Sequence, residues 1–133
     1  MKRVAVSLVL LTLNSLAIAS AEEEVHRASI VQLLANPERF EGKLVEIQGF
    51  VRLEFEGDAI YLHKEDYEHG LYSNGMWLGA SECKRMDGTT FDAGYAMVVG
   101  RFTSQRRGHM GLWSGAIEDV QTCYKWPPHR RDT

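Results

Sequence analysis

Cysteine, proline and long apolar runs are all scarce in this chain, and each scarcity narrows what the protein can be. Only two of the 133 residues are cysteine, and they form no CxxC pair of the redox or metal-binding kind. Three prolines leave no proline-rich linker. One apolar stretch, Val4 to Leu16, is shorter than the roughly 20 residues a spanning helix needs. Positive charge is not in surplus either. Fifteen Lys and Arg stand against eighteen Asp and Glu, a net charge of −3, whereas a general nucleic-acid binder is usually basic. No serine sits in a G-x-S-x-G elbow or another recognised catalytic context. No residue is therefore assigned a catalytic role, and no cofactor is implied.

What is present begins with an address. Met1-Lys2-Arg3 is a short positive segment, and Val4 to Leu16 is the apolar segment behind it. Ala17-Ile18-Ala19-Ser20-Ala21 offers small-residue cleavage sites after Ala19 or Ala21. Residues 1–21 are thus expected to be a Sec-type signal peptide. No cysteine near the cleavage point can take a lipid, so a periplasmic or secreted protein without a membrane span is expected. The mature chain from Glu22 holds 112 residues with a net charge of −5. That is enough for one domain and one core. In an exported chain the pair Cys83 and Cys123 reads as a disulfide closing a 40-residue separation.

Ser29-Ile30-Val31-Gln32 is a capping box. Ile30, Leu33 and Leu34 then share one helical face. Asn36-Pro37 stops this helix, and Pro37 to Phe40 adds a further turn closed by Gly42. Leu44 to Phe55 alternates with period two, with Val45, Ile47, Val51, Leu53 and Phe55 on the apolar side. Gly49 within it marks a bend. Glu56-Gly57-Asp58 is a turn into a second strand, Ala59 to Leu62. A polar stretch follows from His63 to Gly70. Ser73-Asn74-Gly75 is a further turn, and Met76 to Ala80 a third strand. Ser81 caps a brief helix holding Cys83, ended by Asp87-Gly88. Tyr95 to Thr103 is the fourth strand, with Gly100 inside it. Ser114 to Tyr124 is the fifth, and its imperfect alternation puts a bulge or a strand end at Glu118-Asp119. Residues 125–133 are expected to be a disordered tail.

The strings "GKLVEIQGFV", "DAIYLH", "AMVVGRF" and "SGAIEDV", in this order, resemble an OB-fold. The expected architecture is mainly β: a five-stranded Greek-key barrel with a short N-terminal helix and a brief helix between strands three and four. The single domain spans residues 22–124. A β-sandwich or an SH3-like barrel stays open on pattern alone. The whole chain also resembles small exported bacterial OB-fold-like proteins of unknown function, through "LLANPERFEGKLVEIQGF" and "RRGHMGLWSGAIEDV". That resemblance implies a fold and a compartment but no catalytic residues.

Two constellations can carry chemistry. "HKEDYEH" supplies His63, Glu65 and His69, donor types that suit zinc or a similar ion. Their six-residue spacing matches neither one helix face nor a finger, so a solvated polar loop is the simpler reading. "QRRGHMGLWSG" is the fourth-to-fifth connection, which in OB-folds flanks the ligand face. Gly108 and Gly111 allow a sharp turn. Arg106, Arg107 and His109 make its tip basic, suited to carboxylates or phosphates. Trp113 either adds a stacking surface or packs inward. Tyr61, Tyr72, Trp77 and Tyr95 join it as candidates for a stacking face for a base or sugar. The leading expectation is a non-enzymatic binding module for a protein partner or a small anionic ligand, using Arg106, Arg107, His109 and Trp113. A metal-binding protein or metal-dependent hydrolase is the alternative on His63, Glu65 and His69, with His109 as a further ligand. Nucleic-acid or oligosaccharide binding rests on fold analogy, and compartment and charge oppose the former. Oligomeric state is not legible.

Overall fold

The computed structural model describes residues 21–79, 83, 85–86 and 89–127, with backbone only at 85–86 and 89–90. The expected signal peptide falls almost wholly outside the described residues, as do Ser81 and Asp87-Gly88.

A short strand β1 (His26–Arg27) leads into helix α1 (Ile30–Ala35) and helix α2 (Pro37–Phe40). Strand β2 (Leu44–Arg52) and strand β3 (Ala59–Tyr61) follow, then helix α3 (Lys64–Glu68) and strand β4 (Gly75–Leu78). A small ladder of β5 (Arg85–Met86) and β6 (Thr89–Thr90) precedes the long strands β7 (Ala93–Thr103) and β8 (Ala116–Lys125). Strand β2 pairs with β3 and also, along its whole length, with β7. The order β2-β3-β4-β8-β7 therefore closes back on β2. The β4–β8 contact is parallel and the other four are antiparallel. This is the closed OB-fold-like barrel that the strand order predicts.

Burial explains the closure. Val45, Ile47 and Val51 of β2 are fully buried, as are Ile60, Val98, Phe102 and Ile117 from the other barrel strands. At Gly49 an added Cβ would lie 2.8 Å from Ile30 Cδ1. Only glycine lets α1 and β3 crowd the strand there. Helix α1 has its capping box: Gln32 N–H donates to Ser29 Oγ at 3.1 Å, and Ser29 N–H to Gln32 Oε1 at 2.8 Å. Its Ile30 and Leu33 plug the barrel end.

The fifth strand carries the expected irregularity. Arg101 faces Glu118 but Val99 faces Thr122. One residue of β7, Gly100, thus stands against three of β8, Asp119, Val120 and Gln121, and Asp119 takes a φ of 46°. Gly100 sits inside this bulge, where a Cβ would be 2.6 Å from Ile117 Cγ2.

Four features depart from the sequence reading. Strand β2 ends at Arg52 rather than Phe55. Past it, Glu54 N–H turns to Asp58 Oδ1 at 3.0 Å, Gly57 N–H turns to Glu54 O at 3.1 Å, and Glu56 takes a φ of 54°. The turn breaks the alternation and leaves Phe55 92% exposed. In the β4–β7 connection Cys83 has 3-10 geometry, but Arg85–Met86, expected within the helix, is ladder paired with Thr89–Thr90. Strand β8 runs into the expected tail: Lys125 pairs with Ala96, and Trp126 N–H donates to Tyr95 O at 2.9 Å. Finally, β1 lies parallel on β2, with His26 opposite Val45. Two residues carry no periodicity, so nothing in the pattern announces β1.

Cys83 and Cys123 form the disulfide, with Cα atoms 5.1 Å apart. It ties the β4–β7 connection to β8. A closed loop of this size stabilises by about 4 kcal/mol in the chain-entropy model.

Candidate functional site

The loop between β7 and β8 is anchored before it turns. Glu41, next to α2, accepts from Thr103 Oγ1 at 2.6 Å, Ser104 N–H at 2.8 Å and Ser104 Oγ at 2.7 Å. These bonds, the Thr103 hydroxyl first, hold its carboxyl below the usual carboxylate range. At the far end, Ser114 Oγ donates to Ser73 O at 2.7 Å, and Ser114 N–H reaches Gly75 O at 3.3 Å. The loop is therefore pinned to α2 on entry and to β4 on exit.

Trp113 points inward. It is 3% exposed, and its indole Nε1–H donates to Tyr61 Oη at 3.2 Å. Tyr72 and Trp77 meet its ring edge-on, with centroids 5.3 and 5.0 Å away. Burial pushes the Tyr61 hydroxyl up to about 12. Trp113 N–H also donates to Arg107 O at 3.1 Å. The buried ring thus braces the backbone that carries the arginine pair. It supports the tip from below rather than offering a ligand its face.

Above it, Trp77, Arg106, Arg107, Gly108 and Glu118 line one cleft. Gly108 has a φ of 68°, and any Cβ there would enter the Trp77 ring. The loop backbone lies directly on the indole, a contact only glycine permits. Arg106 Nη1 is 3.2 Å from Glu118 Oε1. The exposed Arg107 guanidinium has no side-chain partner among the described residues. The cleft therefore combines an aromatic wall, a braced arginine and a free one. Such a set can accept a carboxylate or phosphate by forked hydrogen bonds.

His109 leaves the cleft and reaches the β2–β3 turn, its Nε2 3.6 Å from Glu56 Oε2. The two loops that flank an OB-fold ligand face thus touch. Each carries a large exposed apolar side chain beside that contact, Phe55 at 92% and Met110 at 81%. Both Glu56 and Met110 have positive φ, 54° and 55°. Non-glycine residues adopt that region at a cost, and it recurs at ligand-contacting turns.

The histidine-carboxylate stretch is arranged differently. His63 precedes α3 and His69 follows it, so about 9 Å of helix axis separates them at the standard rise. Glu65 is exposed between them, while Asp66 turns inward to accept His63 N–H at 2.9 Å and Asn74 Nδ2–H at 2.9 Å. Among the described residues no three His, Cys, Asp or Glu side chains are placed to hold one metal ion. His63, Glu65, His69 and His109 do not converge.

The other aromatic candidates pack on one another. Tyr61 is buried, and Tyr72 and Trp77 pack on Trp113. Tyr95 lies on the barrel's outer face, edge-on to Phe50 at 5.6 Å. Ring contacts run from Tyr95 and Phe50 through Tyr67 to Tyr61, and from Trp113 to Tyr72 and Trp77, so these aromatics form one connected strip of tilted and edge-on rings. The role of Trp77 as cleft wall is legible only once β4 is set beside β8, with Trp77 opposite Ala116. The exposure of Phe55 follows from the Glu54–Asp58 turn, whose only sequence signal is Glu56-Gly57-Asp58.

No family model matches the chain, and no curated protein or solved structure matches it.

Proposed function

We propose that the protein is an exported, non-enzymatic binding module that takes an anionic group of its ligand in the Trp77–Arg107 cleft. The observation that carries this reading is the exposed Arg107 guanidinium, without a side-chain partner among the described residues, in a cleft walled by Trp77 on a loop whose backbone is bonded to the buried Trp113. A long, flexible arginine on a mobile loop would lose side-chain freedom on binding. Here the loop ends are already fixed, so less order remains to be imposed. The disulfide fits an oxidising compartment, in keeping with the expected signal peptide and a periplasmic or secreted location. The ligand is a protein partner presenting a carboxylate, or a small anion.

Calorimetric titration with a short aspartate- and glutamate-bearing peptide, and separately with inorganic phosphate, tests it. Binding to the wild-type protein should weaken at least about tenfold in Arg107→Ala, as loss of a charge-assisted contact implies. Arg106→Ala should weaken it less, because that side chain already serves Glu118. Equal binding by both variants and the wild type would refute the assignment.

A further inference from the structure

On the other side of the His109–Glu56 contact lies a groove of opposite character. Its apolar wall is Leu53, Phe55 and Phe91, and its rim carries Glu54, Glu56 and Asp92. We propose that this groove binds a basic, amphipathic polypeptide segment of a partner protein, one that sets a lysine or arginine beside an apolar side chain.

Charge identifies the occupant. Arg52 is the one cation of β2 near the rim, and it is shared: 3.5 Å to Glu54 Oε2 and 3.7 Å to Asp92 Oδ2. Among the described side chains these three rim carboxylates have one guanidinium between them, which leaves net negative charge facing outward. Asp92 is 80% exposed on its side chain, open to a second cation. Among the described residues the carboxylates do not gather around one point as metal ligands would. Spaced acceptors suit ammonium or guanidinium groups along an extended chain.

The apolar wall sets the second requirement. Phe55 is held out by the Glu54 and Asp58 turn bonds, with its ring 92% exposed. A large rigid ring in that position is the kind of anchor that dominates interface energetics. A purely charged segment would leave it in water. Anionic lipid would be repelled by the rim, so a membrane surface does not fit.

Fluorescence anisotropy with a labelled peptide of alternating lysine or arginine and leucine or phenylalanine tests this directly. Its counterpart with glutamate for each basic residue is the control. The basic peptide should bind the wild-type protein and the acidic one should not bind the groove. Phe55→Ala and the double variant Glu56→Gln, Asp92→Asn should each weaken the basic peptide roughly tenfold, as for a hot-spot residue. Arg106→Ala with Arg107→Ala should leave it unchanged, which separates this groove from the Arg107 cleft. All these side chains are at the surface, so near-wild-type thermal stability of each variant is expected and confirms folding. Full binding by Phe55→Ala would reduce the interaction to unspecific charge attraction and overturn the proposal. Loss of binding only in the arginine variant would overturn it as well.

Discussion

Trp113 donates its indole N–H to Tyr61 Oη in a buried cluster beside the barrel core, through one hydrogen bond of 3.2 Å. Replacing Tyr61 with Phe keeps the ring but strands the indole N–H in a dry site. A loss of about 1–3 kcal/mol is expected for a buried donor left unpaired, read as a lower urea midpoint. The same pair makes a pH prediction. Burial raises the Tyr61 pKa from 10.0 to about 12. The unfolded chain therefore ionises this tyrosine first. Stability is fully present below pH 10 and falls as pH rises through the window up to about 12, by at most about 3 kcal/mol. Tyr61→Phe should lose less stability than the wild type across that window; parallel curves would contradict the assignment. At this scale the sequence was partly legible. Arg106, Arg107 and the two glycines of the tip could be picked out because arginine and glycine carry their chemistry with them. The direction of Trp113 could not, since a strand-flanking aromatic turns in or out with a one-residue change of register.

Among elements, the bulge of β8 and the disulfide below it decide how the barrel closes. The loss of alternation at Glu118-Asp119 marks the bulge in the sequence, and Gly100 opposite marks its partner. Gly100→Val should force Ile117 and the bulge apart, costing about 1–3 kcal/mol as an overpacked core does, measured by thermal melting. Cys83→Ser with Cys123→Ser should cost about 4 kcal/mol in the chain-entropy model. A melting temperature unchanged on reduction would contradict the structural role of the bridge. Glu41 links α2 to the start of the cleft loop. Its carboxyl is held low by the Thr103 and Ser104 bonds, so its contribution is present above about pH 4.5, the ordinary value, and is lost as pH falls through the lowered one. Glu41→Gln should flatten that acid limb. Helix α1 was readable residue by residue from its capping box. Strand β1 was not, because its pairing is a long-range backbone event that two residues cannot encode. The end of β2 was misread for a similar reason. Phe55 continues the alternation in type, but side-chain and backbone bonds within the Glu54–Asp58 turn override it.

As a whole molecule, the barrel presents two neighbouring surfaces of opposite charge, joined where His109 meets Glu56. Hydrophobic period and turn residues place the five strands in the sequence, but pattern alone leaves a sandwich or an SH3-like barrel open; the closed order β2-β3-β4-β8-β7 decides for the OB-fold-like barrel. What the fold adds is juxtaposition. Trp77 and Arg107 are thirty positions apart, yet they line one cleft. Leu53 and Phe91 are brought together because Leu53 N–H pairs with Asp92 O at 2.7 Å. Neither contact has a local signature. The central claim is that the Trp77–Arg107 cleft is where an anionic ligand binds. Backbone amide chemical-shift mapping during titration with the acidic peptide tests it most directly. Saturable shifts centred on Trp77, Arg106, Arg107, Gly108 and Glu118, abolished in Arg107→Ala, are predicted. Shifts that fall elsewhere on the barrel, or that persist in Arg107→Ala, would contradict it.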